Sequence, residues 1–144
     1  MPTVNRSALV RHTPQRMFEL VNDFEHYPEF LSGCRRARLL ERDDVHLVGE
    51  MTLGRAGVEH TITTRNELYT PEMIEISLVK GPFKHLKGRW QFIPVDDTTC
   101  RVSLEMEFEF ANRLLSMAFG KIFQQIAGQL VDSFTRRADD LYGR

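Results

Sequence analysis

From Cys100 to Phe110 every second residue is apolar: Cys100, Val102, Leu104, Met106, Phe108 and Phe110. Arg101, Ser103, Glu105, Glu107 and Glu109 fill the places between. Side chains alternate across a strand, so a period of two predicts a long strand with one dry and one wet face. The period then changes. From Asn112 to Tyr142, the residues Phe119, Phe123, Ala127, Leu130, Phe134, Ala138 and Leu141 recur every three or four places. They fall on one stripe, which predicts one long helix. Ala118 and Gly120 leave open a kink between two helical pieces. A curved antiparallel sheet wrapped around the helix would bury both apolar faces.

The chain before this pair supplies the sheet. Residues 3–11 predict a first strand, stopped at Thr13-Pro14. A Thr that can accept an orphan amide, followed by a Pro with no amide to waste, starts a helix. Met17, Phe18, Leu20 and Val21 are its apolar face. A second short helix, capped by Asn22 or Asp23, runs through Tyr27 to an exit near Gly33. Strands follow over residues 34–42, 45–53, 58–68 and 73–79. Another carries Leu86, Gly88, Trp90 and Phe92 on one face, and a turn over 94–98 leads into the last strand. Gly49, in the apolar row of its strand, predicts a bulge or strong curvature. Short turns make successive strands antiparallel neighbours. The expected class is α+β: seven antiparallel strands, two short helices after the first strand, and a long C-terminal helix.

Composition changes this picture little. The 144 residues, 42% hydrophobic and 27% charged, suit one domain over residues 1–144 with its own core. A formal net charge of -1 gives no global sign of nucleic-acid binding. Cys34 and Cys100 lie far apart and predict two reduced thiols. Residues 1–6 have no apolar signal core, and no apolar run approaches the roughly 20 residues of a membrane span. The expected location is the cytoplasm.

Catalytic and metal signatures are missing from the sequence. His12, His26, His46, His60 and His85 show no ligand spacing, and there is no nucleophile elbow, phosphate loop or dinucleotide fingerprint. The expectation is a binder, not an enzyme, with no required cofactor and no metal. His60, Thr64 and Asn66 share a strand face with Val58 and Ile62 and could hold a ligand's head group inside an apolar cavity. Trp90, Phe92, Met106, Phe108, Phe119 and Phe123 each read better singly as plain core, but as a set they stand with small helix residues at Ala118, Gly120, Ala127 and Gly128. Small residues leave volume, and flexible methionines repack around a guest. Tyr27, Phe30, Met51, Ile62 and Leu130 complete the candidate lining. Basic residues gather at Arg35, Arg36 and Arg38, at Lys80, Lys84, His85, Lys87 and Arg89, and at Arg136-Arg137. They read as solvated faces or as phosphate contacts, with Lys84, Lys87 and Arg89 the candidates for RNA.

Several stretches are similar to a known family. Leu20-Val21-Asn22-Asp23, Tyr27-Pro28-Glu29-Phe30-Leu31 and Gly33-Cys34 resemble the start of the coenzyme Q-binding START-domain proteins. Gly81-Pro82-Phe83-Lys84 with Leu86, Gly88, Trp90 and Phe92 resembles their centre. Phe108-Glu109-Phe110-Ala111-Asn112, Ala118-Phe119-Gly120 and Phe134-Thr135-Arg136-Arg137-Ala138 resemble their end. Ser32 departs from the Pro expected before Gly33-Cys34. The bacterial branch, the ribosome association toxin A proteins, is the nearest, within a polyketide cyclase-like superfamily. The resemblance implies a helix-grip (START-like) fold and two roles. One is binding a hydrophobic ligand, ubiquinone, between sheet and helix in support of respiration. The other is docking on the 50S ribosomal subunit, blocking 70S association, with an antitoxin as a further partner. Cyclases and aromatases of the superfamily add a third, enzymatic, reading.

Overall fold

The computed structural model describes residues 2–143. Seven strands form one antiparallel sheet: β1 (Thr3–Val10), β2 (Cys34–Arg42), β3 (His46–Arg55), β4 (Val58–Tyr69), β5 (Met73–Lys80), β6 (Phe83–Asp96) and β7 (Thr99–Phe110). Their order is β1-β7-β6-β5-β4-β3-β2, so every neighbour but β1–β7 is a sequential hairpin. Helix α1 (Pro14–Asn22) and a 3₁₀ helix (Phe24–Glu29) follow β1, and α2 (Arg113–Gly128) and α3 (Leu130–Tyr142) close the chain.

The predicted start of α1 is present. Thr13 Oγ1 accepts the Arg16 amide at 3.2 Å, with Pro14 in the first turn. Asn112 does the same for α2, its Oδ1 accepting the Leu115 amide at 2.9 Å. The second short element is a 3₁₀ helix, because Pro28 cannot donate and shortens it. Asp23 stands at its start without capping it, and its carboxylate instead meets His26 Nδ1 at 2.7 Å. Gly33 leaves it with φ +90°, a left-handed conformation, and a Cβ there would lie 2.6 Å from the Ile126 side chain.

Three expectations need correction. The C-terminal stretch is two helices, and they part at Gln129, not at Ala118–Gly120. Gly128 is a poor helix former, and the Gln129 amide reaches back only three residues, to Ile126 O at 3.2 Å. The break lets each piece lay its own stripe on the sheet: Phe119, Phe123, Ile126 and Ala127 from α2, then Val131, Phe134 and Ala138 from α3. Leu141 of the expected stripe is exposed. The turn expected over 94–98 is tighter, since β6 continues to Asp96. Gly49 has a second role beside curvature. The register slips on β2 just past the Leu39–Gly49 pair, and a Cβ on Gly49 would sit 2.6 Å from the Phe24 ring. The missing side chain is what lets the 3₁₀ helix press into the sheet.

The concave face carries the core. Alternate residues of β7 and β6, including Val102, Leu104, Phe108, Leu86, Trp90 and Phe92, point in and are buried. The convex face is wet, as the charged rows require.

Candidate functional site

Between the concave face and the α2–α3 junction lies a buried apolar cavity of about 70 Å³. That is room for about two water molecules, well short of the roughly 300 Å³ of a typical small-molecule pocket. Larger hollows are open surface dips, such as one of about 440 Å³ around Lys87, Arg89, Glu75 and Glu105 on the convex face and one of about 500 Å³ between α1 and the end of α3. They lie open to solvent, so the more enclosed cavity is the better candidate despite its size.

Of the expected lining, Tyr27, Met51, Ile62, Thr64, Trp90, Met106, Phe123, Ala127 and Leu130 surround this cavity. Phe30, His60, Phe92, Phe108 and Phe119 do not. Phe92 packs edge-on to Phe18 of α1 at 5.8 Å. Phe108 lies 4.8 Å from Phe123 and 6.2 Å from Phe83, inside a solid aromatic cluster. Phe119 caps that cluster and meets the half-buried ring of His60 at 4.8 Å. Phe30 leans on Phe134 at 5.1 Å, under the Arg137 guanidinium. The aromatic residues that could have framed a wide hollow therefore largely fill it.

Asn66, expected beside Thr64 as a head-group contact, also lines it, together with Phe24, Leu31, Leu53, Ile76, Leu86, Ile126 and Phe134, which were not among the expected lining residues. Some were findable. Leu86 shares its row with Trp90, and Phe134 belongs to the helix stripe. Ile76 sits in a nearly unbroken apolar run, where no period assigns a face. Phe24 sits in a 3₁₀ helix too short to show one.

The cavity's electrostatics are simple. No Asp, Glu, Lys, Arg or His lines it. The Tyr27 hydroxyl donates to the Val21 carbonyl, and burial pushes its phenol well above the ordinary value. Thr64 Oγ1 donates to Asn66 Oδ1 at 3.5 Å, with both residues buried, 5% and 6% exposed. Among the described residues, nothing accepts from the Asn66 amide nitrogen. The site thus offers apolar walls and one polar spot, and no group placed for acid–base work.

The three candidate RNA contacts stand on the convex side, and the fold surrounds them with carboxylates. Lys84 Nζ lies 3.5 Å from Glu109. Lys87 is paired across the sheet with Glu107, and Arg89 with both Glu105 and Glu75. Arg35 and Arg36 approach Glu59 at 3.6 and 3.7 Å, and Arg38 approaches Glu50 at 3.7 Å. Neither cluster is a positive patch; each is an interleaved, mixed-charge face.

Comparison with known proteins agrees with this architecture. The family described as "Polyketide cyclase / dehydrase and lipid transport" matches residues 10–135. The chain is 46% identical over 143 residues to the Vibrio cholerae protein named ribosome association toxin RatA, covering 99% of each. It is 24% identical to coenzyme Q-binding protein COQ10 homolog B of Xenopus laevis, over 97% of this chain and 59% of that one. The Zhui aromatase/cyclase from Streptomyces sp. R1128 superposes with a TM-score of 0.83 at 16% identity, over 96% of this chain and 93% of that one. The fold is thus the helix grip, a seven-stranded antiparallel sheet closed on its concave side by C-terminal helices. By the extent of the family match and the 46% identity, the chain belongs to the polyketide cyclase/dehydrase and lipid transport family, in the group that holds the ribosome association toxins and the coenzyme Q-binding START-domain proteins.

Proposed function

We propose that the chain binds the ribosome, on its large subunit, and hinders association with the small one, acting in the cytoplasm as an inhibitor of translation and not as an enzyme. The observation that carries this reading is the 46% identity, end to end, with a protein named for ribosome association. The charge-free lining of the cavity supports the non-enzymatic part. The interleaved convex face argues for a docking contact of mixed charge, with a shallow salt dependence. Sucrose-gradient sedimentation of ribosomes from cells making the chain is the direct test. The proportion of joined ribosomes falls; an unchanged proportion rejects the reading. Replacing Lys84, Lys87 and Arg89 by Gln then locates the contact. Loss of the effect puts it on the convex face, and retention puts it elsewhere.

A second reading is favoured by the cavity itself: a neutral, mostly apolar ligand such as ubiquinone, with a carbonyl oxygen accepting from the Asn66 amide. Such a guest is larger than about 70 Å³, so the walls must yield. Met51, Met106 and Leu130 are the side chains with the freedom to do so. Native mass spectrometry of protein purified from its own host, with melts in added quinone, tests this. A protein with no bound lipid and an unshifted melting temperature is not a quinone carrier.

A further inference from the structure

The first turns of α2 expose two large apolar side chains that the fold does not use. Leu114 is 75% exposed and Met117 76%, the two highest values among the exposed large hydrophobic residues. They lie three residues apart, on the same side of the helix, and Lys121 continues their stripe four residues on. The opposite side buries Phe119 and Phe123, so the element is amphipathic twice over: its inner stripe is core and its outer stripe is apolar and basic.

The charge around this stripe is one-sided. From Phe110 to Val131 the chain contains no Asp or Glu, although acids outnumber bases, 20 to 19, over the whole sequence. Arg113 and Lys121 are exposed, and no ion pair holds either of them among the described residues. The β5–β6 turn is tied to the start of α2 by the Ala111 amide, which donates to Pro82 O at 3.0 Å, and this brings the exposed Lys80 to the same end of the molecule. The clusters at Arg35–Arg38 and Lys84–Arg89, by contrast, are interleaved with carboxylates, and Arg137 approaches Glu29 at 3.2 Å.

We infer that this end of the molecule, Leu114 and Met117 with Arg113, Lys121 and Lys80, docks on an anionic lipid bilayer surface. Exposed apolar side chains ringed by unpaired cations fit the interfacial region of such a bilayer: the side chains enter the headgroup–acyl boundary and the cations meet lipid phosphates. RNA fits less well, because Leu and Met offer its backbone no hydrogen bond and its bases no stacking face. A second copy of the chain fits less well too. Two side chains cover far less than the roughly 800 Å² that each partner gives a standard interface, and the unpaired cations would face their own kind. The contact is peripheral, since no helix among the described residues is long and apolar enough to cross a membrane. It is independent of the ribosome reading and of whether the cavity takes a guest.

Flotation of the full chain with lipid vesicles tests the inference. Vesicles of equal phosphatidylcholine and phosphatidylglycerol carry the protein up, vesicles of phosphatidylcholine alone do not, and added salt releases it. L114S together with M117S lowers the partition coefficient by about tenfold. R113Q together with K121Q lowers it by about tenfold as well. Both pairs keep the wild-type melting temperature, because all four side chains are exposed, and K87Q with R89Q leaves partition unchanged. Wild-type protein that stays with the pellet in mixed vesicles overturns the inference, and so does equal flotation of the L114S/M117S pair. So do a wild-type dimer that this pair dissolves, and loss of ribosome sedimentation by this pair in a protein that does not float.

Discussion

The guanidinium of Arg55, at the end of β3, donates from Nη2 to Gln129 Oε1 at 3.1 Å, at the residue where α2 and α3 part. The same group reaches Ser32 Oγ at 3.1 Å and Gln125 Oε1 at 3.2 Å. One side chain thus ties the end of β3, the loop before β2 and the helix break beside the cavity. Replacing Arg55 by Met keeps the aliphatic stem and removes the tie. The hydrogen bonds are solvent-accessible, so stability falls by only about 1 kcal/mol. The amides of Gln129 and Ser133, at the break, then exchange faster than those in the middle of α2. Hydrogen exchange resolved by residue checks this, and unchanged protection at the break denies Arg55 the role.

Gly49 is held to glycine by the Phe24 ring. Gly49→Ala drives a Cβ to within 2.9 Å of three of its ring atoms or pushes the 3₁₀ helix outward. The expected loss is about 1–3 kcal/mol, as for other overpacked sites. Urea denaturation measures it, and pairing G49A with Phe24→Leu recovers part of the loss. A double mutant as unstable as the sum of the two singles would mean the clash is not the cause.

Asn112 and Thr13 start α2 and α1 with side-chain caps. Asn112→Ala and Thr13→Ala each cost about 1 kcal/mol. The Asn112 variant has a sharper local consequence: the Leu115 amide, bonded at 2.9 Å, loses its acceptor and the first turn of α2 frays. A thermal melt with amide exchange at Leu115 distinguishes this from a uniform loss of stability.

Stability falls in alkali. Burial pushes the Cys34 and Cys100 thiols from 9.0 up to about 11, and it raises the Tyr27 phenol from 10.0. Above pH 9 the unfolded chain releases thiol protons that the folded chain keeps. The folded state then binds more protons, so the contribution is complete below pH 9 and is lost as pH rises toward about 11. Each thiol adds a slope of at most about 1.4 kcal/mol per pH unit. Denaturation at pH 8 and pH 10.5 should differ clearly for the wild type and less for the Cys34→Ala, Cys100→Ala double variant. Equal pH dependence in the two would remove the thiols from the account.

Phe134 is the centre of the aromatic packing beside the cavity, with Phe30, Tyr27 and Trp90 ring centroids at 5.1, 5.3 and 5.3 Å. Phe134→Ala costs about 3–5 kcal/mol and enlarges the cavity. An environment-sensitive apolar dye then binds the folded variant more strongly than the wild type. A stable variant with no gain in dye binding would show that α3 collapses inward to fill the gap.

Much of the fold was legible because its signals are local. Strict alternation over Cys100–Phe110 needs no knowledge of the partner to be read as a half-buried strand, and Thr13-Pro14 starts a helix by chemistry contained in four residues. The break at Gln129 was not legible. Its local signal, one Gly at the end of α2, is weak, and the contact that holds it comes from Arg55, far away in sequence.

The candidate site divides the same way. Alternation placed Ile62, Thr64, Trp90 and Met106 on the inner face, and the structure puts all four around the cavity. It placed Phe92 and Phe108 there too, but whether an inward ring borders space or fills it depends on what stands opposite. Phe18 and Phe123 stand opposite these two, and no period along the chain announces that. The basic cluster at Lys84–Arg89 had the same fate. Its neutralising carboxylates on β7 and β5 arrive through strand pairing.

From the order of its residues alone, this chain determines which segments are strand or helix, which rows are dry, and that a curved sheet must close on C-terminal helices. These follow from backbone geometry and solvent, which act on each segment separately. The size of the space left between sheet and helices, and the sign of the charge on each outer face, were decided only in the folded molecule. Both are properties of two surfaces brought together, and neither surface carries the answer by itself.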